Sequence, residues 1–159
     1  MKEILKNVSL LKNLKDQDDA LDQLVAIMEV KKYTSGVYLA TQGQEGDEFF
    51  ILIEGQVSIL KTTLEGDLYK VAVLSAQMHP AFGEGGLIFG EKRSATIITD
   101  QDCTCLVLKR PQFQNFSKNF PQYALPIVQE IAQQLISRLN QTSQDLLLLH
   151  KALMNEVRG

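Results

Sequence analysis

At 159 residues the chain has the length of one domain with an appended element, and 45% hydrophobic against 22% charged residues describes a chain that buries a core. A formal net charge of −3 argues against a general nucleic-acid surface, which needs clustered Lys and Arg, so an anionic ligand has to be attracted locally. No apolar run approaches the roughly 20 residues that span a bilayer, and no secretory hydrophobic segment follows Met1-Lys2-Glu3; a cytoplasmic protein without membrane contact is expected.

In chain order, Ile4, Leu5, Val8, Leu11 and Leu14 fall at helical spacing, and Asp18 or Asp19 would cap a second short helix carrying Leu21, Leu24 and Val25. From about Met28 the pattern changes to short apolar runs separated by turn residues at Ser35-Gly36, Gly43 to Asp47, Glu54-Gly55 and Glu65-Gly66-Asp67. Val37 to Ala40, Phe49 to Ile53, Val57 to Leu60, Leu68 to Leu74, Ala95 to Thr99 and Cys105 to Leu108 read as strands. Many short strands at regular spacing predict a closed or rolled antiparallel sheet, hence a mainly β architecture with flanking helices.

Phe82 to Thr96 reads F-G-E-G-G-L-I-F-G-E-K-R-S-A-T. Gly83, Gly85, Gly86 and Gly90 allow close backbone approach and positive φ, successive N–H groups form an anion nest, and Arg93 supplies charge-assisted bonds to phosphate oxygens. Glu84 would repel a phosphate unless it accepts a hydrogen bond from a hydroxyl of the same ligand, such as a ribose 2′-OH, so the pair suggests a sugar phosphate. The plainer reading is a solvated hairpin loop with a Glu84–Arg93 surface ion pair.

Phe82-Gly83-Glu84, Leu87 and Arg93-Ser94-Ala95-Thr96 resemble, in residue type and spacing together, the phosphate-binding cassette of cyclic-nucleotide-binding domains. The resemblance implies that Glu84 holds the ribose hydroxyl, that Arg93 holds the cyclic phosphate, and that Gly83, Gly85, Ser94 and Ala95 line the same ligand site. Gly85 stands where the family usually carries an aliphatic residue, which predicts a looser helical turn. Gln42 to Asp47, Phe49 to Leu52 and Glu54-Gly55 extend the likeness to the early turns and strands of that family's jelly-roll-like β-roll. Met78-His79-Pro80 departs from the glycine turn common there. His79 reads as a loop histidine, with haem ligation, as in gas-sensing relatives, the weaker reading.

Cys103 and Cys105 share one face of a probable strand and are expected to be buried free thiols, without the further ligands a metal site needs. Pro111 suits the first turn of a helix through Phe113 and Phe116, and Pro126 the first turn of a long C-terminal helix. Along that helix Leu135, Leu139, Thr142, Leu146, Leu149 and Leu153 alternate steps of four and three, a heptad seam that calls for a partner, most simply a second copy. Arg138-Leu139-Asn140-Gln141-Thr142-Ser143 resembles the corresponding helix of bacterial catabolite activator proteins, where a Thr-Ser pair reaches the adenine of cyclic AMP across the dimer; the resemblance carries that role to Thr142 and Ser143. Read alone, Thr142 is a polar seam residue and Ser143 a solvated one.

The expected organisation is a cyclic-nucleotide-binding β-roll with its helical lead-in over residues 1–125 and a long lid and dimer helix over 126–159. The expected function is non-catalytic sensing of a cyclic nucleotide, cyclic AMP ahead of cyclic GMP, by a homodimer that signals through this helix to an output domain or partner protein. No metal and no cofactor beyond the nucleotide ligand is expected. In the resembling regulators a helix-turn-helix domain follows the long helix, and too few residues remain here for one, so no nucleic acid is expected to bind this chain alone. The competing reading is a nucleotide-free dimerisation module of the same fold. A phosphodiesterase is disfavoured because the cassette lacks clustered His and Asp.

Overall fold

The computed structural model describes residues 1–90 and 92–158. Strands β1 (Glu29–Tyr33), β8 (Cys103–Lys109), β3 (Glu48–Glu54) and β6 (Ala81–Phe82) form one antiparallel sheet in that spatial order. Strands β2 (Tyr38–Ala40), β7 (Thr96–Thr99), β4 (Gln56–Thr62) and β5 (Leu68–Ser75) form the second. The result is the expected β-roll, flanked by helices α1 (Lys2–Lys6), α2 (Asp18–Ile27), α4 (Arg110–Asn119) and α5 (Pro121–Arg158), with a short α3 (Glu84–Ile88) inside it.

The runs Phe49–Leu52 and Cys105–Leu108 are continuously apolar because β3 and β8 are buried on both faces, and strand side chains alternate between those faces. Phe50, Leu52, Cys105 and Val107 point into the roll with Val57, Phe82 and Ile97. Phe49, Ile51, Leu106 and Leu108 point outward to a second core built from Leu5, Leu14, Leu21, Leu24, Phe113, Phe116, Ala124, Ile127 and Ile131. The helices at both chain ends are thereby welded to one sheet, and this fixes where α5 leaves the roll.

Three local expectations need correction. The N-terminal apolar line is not one helix: the Asn7 side chain donates to the Glu3 carbonyl at 2.9 Å at the end of α1, Val8 is extended, and a 3-10 turn over Ser9–Leu14 follows. Neither Asp18 nor Asp19 caps α2; Gln17 occupies the cap position without a side-chain bond, and both aspartates lie in the first turn, where the helix dipole favours them. The long helix starts at Pro121 rather than Pro126, which lies inside it. Tyr123 N and Ala124 N both donate to the Phe120 carbonyl at 3.0 Å, anchoring the first turn. The carbonyl opposed by the Pro126 ring belongs to exposed Gln122, close to the helix start, so the interruption is tolerated.

Candidate functional site

The loop after β2 and the segment before β7 grip each other through the main chain: Arg93 N donates to Gln44 O at 2.8 Å, and Gly43 N to Arg93 O at 2.9 Å. From this fixed backbone the Arg93 guanidinium turns inward. Its Nη2 donates to the Glu48 carbonyl at 2.7 Å and its Nη1 to the Gly83 carbonyl at 3.4 Å. Its carbon lies 5.9 Å from the Phe50 ring centre, and Phe50 is itself stacked on Phe82 at 5.3 Å. Burial pulls the Arg93 pKa below its usual value, while Glu48, Asp47 and Glu84 act in the opposite direction; the group stays charged.

Three glycines make the slot that holds this guanidinium. A Cβ on Gly46 would overlap the Arg93 side chain, one on Gly83 would come within 2.7 Å of both Arg93 Nη1 and the Glu48 carbonyl, and one on Gly86 would strike the Gly46 carbonyl. Gly83 also has φ +89, which favours glycine, and it forms the N-cap of α3. In sequence Gly46 is a turn residue; in the fold it lies against the Arg93 side chain. Gly85 does not prevent the turn, since α3 forms, Phe89 N bonds the Gly85 carbonyl at 3.1 Å, and buried Leu87 pins it to the core.

Glu84 and Arg93 do not pair with each other, which sets aside the surface ion-pair reading. Glu84 Oε1 instead accepts from Arg138 Nη1 of α5 at 2.6 Å, with the carboxylate largely buried and the guanidinium mostly exposed. Arg138, which in sequence is simply the first residue of the R-L-N-Q-T-S stretch, bonds the long helix to Glu84. Thr142 lies one turn further along. The Thr142 and Ser143 hydroxyls donate back to the carbonyls of Arg138 and Leu139 at 2.9 Å, and both residues are exposed. Ser94 is exposed with its carbonyl engaged by Lys61, and Ala95 is half-buried beside it.

His79 adopts a left-handed conformation at φ 43, with its Nδ1 buried and unpartnered. Among the described residues no group of three His, Cys, Asp or Glu could hold a metal ion. Cys103 and Cys105 are buried free thiols, and burial, with a smaller contribution from Cys103, pushes the Cys105 thiol up to about 12.

Residues 30–120, which contain the glycine slot, Glu84 and Arg93, match the family profile described as the cyclic nucleotide-binding domain. The chain belongs to the cyclic nucleotide-binding domain family. It is 38% identical over 119 residues to human cGMP-dependent protein kinase 2, a match covering 74% of this chain and 15% of the kinase. It is 29% identical over 113 residues to the Dictyostelium discoideum cAMP-dependent protein kinase regulatory subunit, covering 70% of this chain and 34% of that protein. Among solved structures, the Thermus thermophilus catabolite activator protein aligns with a TM-score of 0.76 at 24% identity over 89% of this chain and 62% of that one. The regulatory domain of Toxoplasma gondii PKA, co-crystallised with cAMP, aligns at 0.64 and 25% over 72% of this chain and 42% of that one. The chain thus spans only part of each relative. The family match ends at residue 120, before α5 begins.

Proposed function

We propose that this chain is a non-catalytic cyclic-nucleotide sensor in which the nucleotide acts on α5 through Glu84. The observation that carries this reading is the pairing of two built features: Arg93 seated in a glycine slot, and Glu84 beside it already bonded to Arg138. The guanidinium and the amides at the start of α3 present donors to a cyclic phosphate, and the Ser94 hydroxyl adds another. A ribose hydroxyl donating to Glu84 enters the same carboxylate that anchors the helix. A carboxylate has room for both donors, but a second one changes the strength and direction of the first. Nucleotide binding and the position of α5 are then linked, because the ligand shifts the equilibrium by its differential affinity for the two helix arrangements.

Cyclic AMP is the first choice of ligand, on the likeness of Thr142-Ser143 to the adenine-capping pair. Cyclic GMP is the second reading, favoured by the 38% identity to kinases named for cGMP. Titration calorimetry with each nucleotide tests both. One nucleotide per chain is expected, and Arg93→Ala should weaken binding by about 100-fold or more, as loss of a charge-assisted phosphate contact in a partly buried site implies. Wild-type chains that bind neither nucleotide while forming a stable dimer would favour the nucleotide-free dimerisation module instead.

A further inference from the structure

The carboxylates that act on Arg93 are Glu48, Asp47 and Glu84. Lys31 neutralises Glu48 at 2.7 Å, and Arg138 neutralises Glu84 at 2.6 Å. Arg93, Lys31 and Arg138 therefore stand against three carboxylates, and this inner set has no surplus positive charge for an anion. Lys92 meets Glu45 across an isolated main-chain β-bridge, and its side chain is exposed. A chain of net charge −3 adds no general attraction. A further cation beside Arg93 would strengthen the attraction for a phosphate monoanion; Arg110 lies against Gly90 and Lys92 is exposed, whereas Lys61 reaches the Ser94 carbonyl next to Arg93.

Lys61 is placed to be that cation. On β4 it shares the inward parity of Val57 and Ile59, Val57 being part of the core inside the roll. It lies one residue past the Leu60↔Thr96 pair of β4 and β7, at the open end of the strand where the cassette arginine segment enters. Its ammonium donates to the carbonyl of Ser94, the residue next to Arg93, and it is exposed, so nothing packs it there. Among the described residues no carboxylate forms an ion pair with it. A main-chain carbonyl is a weak partner for an ammonium compared with a phosphate oxygen.

Resting on the sensor reading above, we propose that Lys61 is the second cation of the ligand site, exchanging the Ser94 carbonyl for the anionic phosphate when the nucleotide binds. The role is electrostatic and directed at the phosphate, so it does not distinguish one base from another.

The test is titration calorimetry of wild type, Lys61→Gln and Lys61→Arg with cyclic AMP and cyclic GMP, each at low and high salt. Glutamine removes the charge while keeping a polar N–H donor one bond shorter, and arginine keeps the charge, so the two variants together separate an electrostatic role from a structural one. Lys61→Gln should weaken whichever nucleotides the wild type binds by a common factor of about five- to ten-fold and flatten the salt dependence, with Lys61→Arg restoring most of the affinity. Unchanged affinity in Lys61→Gln, beside normal wild-type binding, would overturn the Lys61 role and leave the sensor reading standing. A loss confined to one of two nucleotides that the wild type binds would also overturn it, because it would place Lys61 on the base. Wild-type chains that bind neither nucleotide would overturn the sensor reading and this role with it.

Discussion

Arg93 is costly to hold as a half-buried charge, and the chain meets that cost with carbonyls rather than with a carboxylate in direct contact. Glu48 and Gly83 supply main-chain oxygens, and Phe50 supplies a ring face, so the guanidinium is oriented with no carboxylate bonded to it among the described residues. The glycines around it then have different consequences on substitution. The atoms nearest a methyl on Gly46 all belong to the Arg93 side chain, whereas the nearest to one on Gly86 is the Gly46 carbonyl, a main-chain group. Gly46→Ala is therefore expected to displace Arg93, lowering nucleotide affinity by about ten-fold or more with a stability change under about 1 kcal/mol. Gly86→Ala should lower both, the stability by about 1–3 kcal/mol as overpacking does. Paired thermal melts and titrations of the two variants check this; equal stability losses would show that the slot is not shaped as described.

At the scale of elements, the strands were legible where burial dictates the residue type. β3 and β8 are covered on both faces and read as unbroken apolar runs. β1 went unread because Glu29-Val30-Lys31-Lys32-Tyr33 is an edge strand, charged and half exposed, whose place is set by pairing with β8 and by Lys31 reaching Glu48. The cassette residues were legible from motif spacing, but the Arg138 tether was not, since it joins residues far apart in sequence that the fold alone brings together. The same applies to Glu130, a buried carboxylate on α5 whose Oε2 lies 2.8 Å from Lys12 Nζ of the N-terminal 3-10 turn and whose Oε1 accepts from Gln134. The Lys12 contact holds the Glu130 pKa below 4.5 against the opposing effect of burial, with Gln134 assisting. A carboxyl whose pKa is lower folded than unfolded contributes stability that is fully present above the unfolded value and lost as pH falls through the folded one. Glu130→Gln should therefore cost about 1 kcal/mol near neutral pH, a modest figure because Lys12 is half exposed. The gap between wild type and variant should narrow as pH drops below about 4.5. Chemical denaturation across pH 3 to 7, where the endpoints are roughly the range such a carboxyl titrates over, reads it; a gap constant with pH would mean that the ion pair contributes nothing.

At the scale of the whole molecule, α5 packs on the roll through its first turns and exposes its apolar residues beyond them. Ala124, Ile127 and Ile131 are buried, whereas Leu135, Leu139, Leu146, Leu149 and Leu153 on the heptad line are all roughly half or more exposed, as are Ile136, Leu147 and Leu148 off it. A helix of this kind gains most of its stability from packing, so the distal half needs a partner surface. We propose that a second copy aligned along the same seam covers it, an arrangement in which Thr142 and Ser143 of each chain would approach the nucleotide of the other. Sedimentation should then show a wild-type dimer that Leu146→Glu converts to monomer, because the substitution puts a charge into the seam. If the hydroxyls act across the dimer, Leu146→Glu weakens cyclic AMP binding, and Thr142→Val weakens it in the wild-type background but adds nothing in the Leu146→Glu background. Such non-additivity is the signature of two residues serving one interface. Independent, additive losses would place Thr142 against the nucleotide of its own chain, and an unchanged isotherm in Leu146→Glu monomers would separate dimerisation from ligand capture altogether.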